Sequence, residues 1–337
     1  MNGLSQAGVP HPLITSTRPA FGLLDNDELA NIQVVNGLFW SFWRPFIFRK
    51  LVTWIRQREP LLIHGMSAFT APVCARLAQA LDIPFIITVQ HFQKRGGLHV
   101  EKHCRGFIAV SEPLRENLVN DADIPKELVR MIPAGIAIPK ELPIRPAATE
   151  ATVPLISSFG KLIQRKDFLT LLKAIRLVVD KFGPNCSFVI AGEGPEETVL
   201  RKLARELKID KQVTFCHGSA GYKEVLRDTD VYVQCSRSEG FGTMVLQAMA
   251  HGVPVVATST GGFISLVRDG ETGFLVPVGD VEAFAARLLS LLTDKALCRK
   301  MGETARETAL ESYNLEHTMS STIEFYAECV AQNISQR

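Results

Sequence analysis

Asp230-Val-Tyr-Val-Gln-Cys-Ser-Arg-Ser-Glu239-Gly-Phe-Gly242-Thr-Met-Val-Leu-Gln247-Ala-Met-Ala-His-Gly252-Val-Pro-Val-Val-Ala257 contains, in order, a strand, a turn, a helix and a second strand. Asp230–Cys235 is bulky and β-branched, which predicts a β-strand. Gly240 and Gly242 sit in the turn, where the backbone of a glycine can approach another group closely. The helix expected from Thr243 begins with unpaired N–H groups at the positive end of its dipole, a natural phosphate site. Glu239 places one carboxylate beside it. A carboxylate for hydroxyls next to a helix start for phosphate suits a sugar nucleotide. An ordinary strand–turn–helix of an α/β fold fits the local pattern equally well.

The same alternation runs outward in both directions and predicts parallel α/β sheets. Upstream, Leu61–His64, Phe85–Val89, Gly106–Val110 and Val129–Pro133 read as strands, with helices over Ala71–Leu81 and from near Ser111. Residues 137–152 carry three prolines in Ile-Pro-Lys-Glu-Leu-Pro-Ile-Arg-Pro and have no period, which marks a linker. A second set follows: strands at Pro154–Phe159, Ser187–Ala191 and Gln212–Phe215, and helices over Phe168–Lys181 and Glu196–Leu207. Helical segments run from Val281 to the end, the last over Glu316–Gln332.

The chain of 337 residues is long enough for two domains, and its net charge of +2 gives no sign of a nucleic-acid partner. Its seven cysteines include no Cys-x-x-Cys pair, and several lie in apolar settings, as buried free thiols of a reducing cytosol do. No signal peptide and no spanning apolar run is visible.

With these residues in place, the chain resembles the retaining glycosyltransferases of the GT-B fold, family 4 (glycosyl transferases group 1). The resemblance rests on Ser236, Glu239, Gly240, Phe241 and Gly242, then Gly252-Val-Pro254, Thr260-Gly-Gly262 and Asp269-Gly-Glu-Thr-Gly-Phe-Leu-Val-Pro277. It covers residues 7 to 330 and is strongest from 155 to 280. It implies two Rossmann-like domains facing a cleft: an acceptor-side domain at 1–142, a nucleotide-sugar domain at 143–315, and a C-terminal helix, 316–337, crossing back to the first. The family's opening strand, Gly-Gly loop and most of its first helix have no counterpart in Asn2–Thr17, so either the start is mis-assigned or the first domain is incomplete at its start.

The resemblance also distributes roles. Gly160 and Lys161, with Arg165 and Lys166, form a basic loop after a strand, and a departing diphosphate needs such charge. Lys166 matches the family's lysine; Lys161 stands where the family has arginine, keeping the charge without the bidentate fork. Gly192 and Gly194 line the nucleotide side, or simply form a tight βα turn. Ser236, Glu239, Gly240, Phe241, Gly242 and Thr243 bind the donor. Glu239 holds donor-sugar hydroxyls as a positioning group. Gln247 replaces a second glutamate that accepts from the ribose, Ser265 another frequent glutamate, and Asp167 a common glycine. His91 stands one residue after the family's histidine, where Gln90 now lies; a bulged turn or a role for Gln90 are both open.

No metal or other cofactor is expected. Asp121-Ala-Asp123 and Asp228-Thr-Asp230 superficially resemble an Asp-x-Asp metal motif, but neither follows an apolar strand. Trp40, Trp43, Phe39, Phe42, Phe46, Phe48 and Trp54 cluster with Arg44, Arg49, Lys50, Arg56 and Arg58, which suits either a peripheral contact with the inner face of a membrane or a core-facing helix with solvated arginines. The fold needs a helix at this point, which favours the second. The leading expectation is a cytoplasmic, metal-independent, retaining hexosyltransferase-type enzyme acting from a nucleoside diphosphate sugar on a glycan or lipid-linked acceptor. A catalytically impaired sugar-nucleotide- or partner-binding protein is the alternative, and a GT-B epimerase a weaker third.

Overall fold

A computed structural model describes residues 13–15, 32–34, 45–137, 153–217 and 221–335. In chain order the elements of the first part are β1 (Leu13–Thr15), β2 (Ile32–Val34), α1 (Pro45–Arg56), β3 (Ile63–Gly65), α2 (Ala71–Leu81), β4 (Phe85–Val89), β5 (Cys104–Ala109), α3 (Glu112–Asn120) and β6 (Val129–Met131). The second part holds β7 (Leu155–Phe159), α4 (Phe168–Phe182), β8 (Ser187–Ala191), α5 (Glu197–Glu206), β9 (Val213–Cys216), α6 (Tyr222–Asp228) and β10 (Val231–Gln234). It continues through α7 (Thr243–Ala250), β11 (Val255–Thr258), α8 (Gly262–Leu266), β12 (Gly273–Val276), α9 (Val281–Thr293) and α10 (Lys295–Ser312) before the final α11 (Leu315–Ser335).

Two compact units result. One joins residues 1–110 and 114–133 to 315–337, and the other comprises 111–113 and 134–314. Each is a parallel α/β unit, as the alternation of strands and helices requires. The first carries a four-stranded sheet in the order β3-β4-β5-β6, and β1 and β2 pair separately in parallel. The second carries a six-stranded parallel sheet, β12-β11-β10-β7-β8-β9. Its order reverses at β7, the place where an open α/β sheet leaves a crevice at the carboxyl ends of its strands. The linker expected over 137–152 lies almost wholly outside the described residues.

The second unit shows why these residues take this form. Strand β10 is buried along its whole length, as a central parallel strand covered on both faces must be. Helix α4 buries Phe168, Leu171, Leu172, Ile175 and Val178, the three-and-four spacing of one helical face, against Ile156, Phe188 and Val233 of the sheet. Each such side chain contributes about 1.5–3 kcal/mol on burial. Gly183, at φ 96°, ends the helix.

In the first unit, Leu51 and Ile55 of α1 pack on Val73 and Leu77 of α2, so the described part of the aromatic and basic segment is a core-facing helix. Phe46 on its other face is exposed, and Arg58, just past the helix end, lies over the ring of Trp54, which packs on the same cluster. Phe39, Trp40, Phe42 and Trp43 lie outside the described residues. Strand β3 starts at Ile63 rather than Leu61, which is 70% exposed: the apolar run outlasts the sheet edge. The final helix belongs to the first unit, where Phe325 and Cys329 pack on Ile86, Ile108 and Ile132. Gly106 is needed there, because a Cβ would stand 2.4 Å from the Phe325 ring. All seven cysteines are free thiols, five of them buried.

Candidate active site

The basic loop and the glutamate loop leave the carboxyl ends of neighbouring strands β7 and β10 in the second unit. After Phe159 the chain passes Gly160 and Lys161 and makes a 3-10 turn over Gln164–Lys166 before α4. After Gln234 it passes Ser236 and Glu239 to Gly242, whose φ of 103° turns the chain into α7. A side chain at Gly242 would also meet the Phe263 ring, so glycine is required twice over.

The two loops meet through Lys166 and Glu239. The Lys166 ammonium donates to the Glu239 carboxylate in an ion pair whose side chains are 16% and 11% exposed. Ser236 Oγ donates to the same carboxylate oxygen at 3.4 Å. Ser236 is itself held by Thr258, whose hydroxyl accepts from Ser236 N at 2.9 Å and donates to its carbonyl. The Glu239 carbonyl accepts from Gly262 N at 2.9 Å. Gly262 must be glycine, since a Cβ would sit 2.3 Å from Phe241 Cα. The glycine pair of the resemblance thus wedges α8 under the Glu239 turn.

Gly192 and Gly194 support the basic loop from beneath. A Cβ on Gly192 would lie 1.8 Å from the Gly160 carbonyl oxygen, and one on Gly194 would lie 2.3 Å from that of Leu162. Gly160 N donates to Ala191 O, and Leu162 N to Glu193 O. These two glycines therefore let the βα turn after β8 lie directly against the Gly160–Leu162 backbone. Gly160 takes no left-handed conformation, and a Cβ there would only reach ordinary contact with the Lys166 stem, at 3.6 Å.

Lys161 is exposed at the rim of this loop. Thr243, the first residue of α7, is exposed, and Gln247, one turn on, is half-buried with its carbonyl accepting from His251 Nδ1 at 2.8 Å. Phe241 is buried with its ring 6.1 Å from that of Tyr313, whose hydroxyl donates to the Ser265 carbonyl at 2.7 Å. His91 and Gln90 are both exposed and belong to the first unit, directly after β4.

Three residues beyond the expected binding set complete the loop pair. Arg165 donates to the Ser238 carbonyl at 2.9 Å, and Arg237 N donates to the Arg165 carbonyl at 2.8 Å. Arg237 pairs with Asp167, Nε to Oδ2 at 3.2 Å. The signal for Asp167 was its place directly before a helix with Thr170 three residues on; Arg237 gave none.

The acidic pairs weighed as metal motifs have other partners. Asp230 accepts from Leu155 N at 2.8 Å, Asp228 pairs with Arg227, Asp123 with Arg95, and Asp121 accepts from Asn117. In the first unit, half-buried His64 lies between Thr88 Oγ1, 2.7 Å from its Nε2, and Tyr326 Oη, 2.6 Å from its Nδ1. Burial pushes its pKa down to about 4.

Two parallel Rossmann-like units, the second with a lysine–glutamate pair beside a glycine-bound helix start, define the GT-B architecture. The glycosyl transferases group 1 family model matches residues 143–308, and the glycosyltransferase family 4 model matches residues 1–138. The chain belongs to the GT-B glycosyltransferases. It is 31% identical over 179 residues to the lipopolysaccharide core biosynthesis glycosyltransferase LpsE of Rhizobium meliloti, a match covering 53% of this chain and 51% of that protein. It is 26% identical over 341 residues to an uncharacterized glycosyltransferase of Methanocaldococcus jannaschii, covering 89% and 87%. The structure of Anabaena HepE in complex with UDP and glucose superposes with a TM-score of 0.80 at 18% identity, over 94% of this chain and 91% of HepE. The chain spans about half the length, or less, of several of the curated relatives it matches.

Proposed function

We propose that this chain is a metal-independent, retaining glycosyltransferase that moves a sugar from a nucleoside diphosphate sugar to an acceptor hydroxyl in the assembly of a cell-surface glycan or glycolipid. The observation that carries the reading is the pairing of Lys166 with Glu239 beside the start of α7. A cation for the departing diphosphate and a carboxylate for the sugar hydroxyls are thereby within one side chain of each other. Complexes of HepE with UDP and glucose support the same donor chemistry.

In this mechanism the bond from the anomeric carbon to the diphosphate breaks first. Lys166, Lys161 and the free N–H groups at Thr243 stabilise the charge that develops on the leaving group. The acceptor oxygen bonds to the anomeric carbon on the face the diphosphate leaves, and its proton passes to a departing phosphate oxygen. Glu239 orients the sugar and forms no covalent bond. With cationic side chains compensating the diphosphate, no metal is required. His91 is proposed to contact the acceptor.

The outer face of α1 is proposed to rest on an anionic inner-membrane surface. Residues 45–58 contain Arg49, Lys50, Arg56 and Arg58 and no acid, with Phe46 exposed beside them. No helix among the described residues is long and apolar enough to cross a membrane.

The test is a panel of UDP-, GDP- and ADP-sugars offered with and without cell-envelope acceptor extract, in the presence and absence of EDTA. The reading expects acceptor-dependent release of one nucleoside diphosphate, insensitive to EDTA, with the anomeric configuration kept in the product. Release that EDTA abolishes, or an inverted product, contradicts it. Co-sedimentation with phosphatidylglycerol vesicles but not phosphatidylcholine vesicles is expected; equal behaviour on both removes the membrane proposal.

A further inference from the structure

We propose that Arg237 and Asp167 are positioning residues that clamp the Lys166 loop to the Glu239 loop and keep the Lys166 ammonium for Glu239. The consequence for turnover rests on the function proposed above; the clamp itself does not.

The argument starts from Asp167. Its side chain is 4% exposed, and its φ of 49° is left-handed, a conformation that costs most side chains energy but that aspartate and asparagine tolerate. Thr170 Oγ1 donates to Oδ2 at 3.0 Å. A carboxylate this buried needs a cation, because desolvating an unpaired charge is expensive. The cation nearest in sequence is Lys166, but Lys166 is committed to Glu239. Arg237 supplies the charge instead, with Nε 3.2 Å from Oδ2 and Nη2 3.4 Å from Oδ1.

The pattern is reciprocal. Residues 165, 166 and 167 meet residues 238, 239 and 237: Arg165 holds the Ser238 carbonyl, Lys166 holds Glu239, and Asp167 holds Arg237. The Arg237 N–H to Arg165 carbonyl bond ties the two backbones at the same place. Lys166 and Glu239 are thus bracketed by contacts that involve neither of their functional groups. Such bracketing holds two loops at a fixed separation while the central pair opens to admit a donor. A guanidinium suits the task because it meets both carboxylate oxygens at once.

Loss of Arg237 leaves a buried carboxylate without its cation, one residue from Lys166, where it competes with Glu239 for the ammonium. Removing the competing charge as well should restore the partition. The Arg237→Ala, Arg237→Lys, Asp167→Asn and Asp167→Asn/Arg237→Ala variants are compared by hydrogen exchange without any nucleotide, and by turnover of whichever sugar nucleotide the native protein uses. Arg237→Ala should speed amide exchange in both segments, 161–167 and 236–242, by about ten-fold, and lower kcat rather than raise KM, by roughly 10–100-fold, the cost of misplacing a catalytic group. Arg237→Lys should keep much of both, and the double variant should turn over faster than Arg237→Ala alone. Unchanged exchange at 161–167 in Arg237→Ala, or a double variant slower than the single one, overturns the proposal. A native protein that turns over no sugar nucleotide refutes the proposed function, while the exchange comparison still decides the clamp.

Discussion

Lys166 and Glu239 stand 73 residues apart in the chain and meet as an ion pair between two loops at the carboxyl end of one sheet. Each charge is thereby compensated by the other, so that neither is left unpaired in a half-buried site. Under the proposed function the pair would divide the work, the ammonium going to the phosphate and the carboxylate to the sugar.

Glu239→Gln should weaken use of the sugar nucleotide while free nucleoside diphosphate binds nearly as well. The amide keeps the shape but loses the charge-assisted acceptor, and Lys166 loses its partner. Competition assays with the intact donor and with its nucleoside diphosphate separate the two effects. A glycosyl ester trapped on Glu239 would overturn the positioning role.

Gln247→Glu should tighten nucleoside diphosphate binding by about ten-fold. An ionised acceptor for the ribose hydroxyls gains roughly 1–2 kcal/mol over a neutral one, and ~1.4 kcal/mol is one decade. Calorimetry on both proteins checks it, and an unchanged affinity would mean that Gln247 does not face the ribose.

Gly192→Ala should destabilise the second unit by about 2 kcal/mol or more, the scale of overpacking a tight contact. Its new Cβ would fall 1.8 Å from the Gly160 carbonyl oxygen, so the basic loop has to move. Urea unfolding should show the loss, and donor KM should rise with it. A variant as stable as the parent would show that the two turns are not in this contact.

The His64 imidazole carries a pH signature for the first unit. Its folded pKa of about 4 lies below the ordinary 6.5 because burial disfavours the charged form. The unfolded chain therefore binds more protons between these values, and stability rises with pH there. The contribution is complete above pH 6.5, is lost as pH falls towards 4, and amounts to at most about 3 kcal/mol. Amide exchange of Phe85–Val89, corrected for intrinsic rates, should accelerate from pH 7 to pH 5, and His64→Gln should flatten that dependence. Equal pH dependence in both proteins would contradict the assignment.

Regular elements with a strong local pattern were legible. Ala71–Leu81 and Ser187–Ala191 have the bounds that periodicity and β-branching assign them, because each buries one continuous face. Edges were less so: Leu61 belongs to an apolar run yet stays exposed before β3, since a hydrophobic run does not say where pairing begins. The candidate site was legible as two separate loops with suitable charges. Their pairing was not, because no local rule joins residue 166 to residue 239. Arg237 carried no signal in the sequence, and only the placement of Asp167 reveals its partner. Gly192 and Gly194 fitted a nucleotide-lining turn and a packing turn alike; the Gly160 and Leu162 carbonyls against them show the packing. His64 ended a strand, and nothing near it announced Tyr326 on the final helix.

The most direct measurement is the steady-state kcat/KM of Lys166→Ala beside the native protein, with the donor found in the panel and with folding confirmed by an unchanged far-ultraviolet spectrum. Removing one stabiliser of leaving-group charge should lower kcat/KM by roughly 10²-fold or more. A folded Lys166→Ala protein with kcat/KM unchanged would contradict the account.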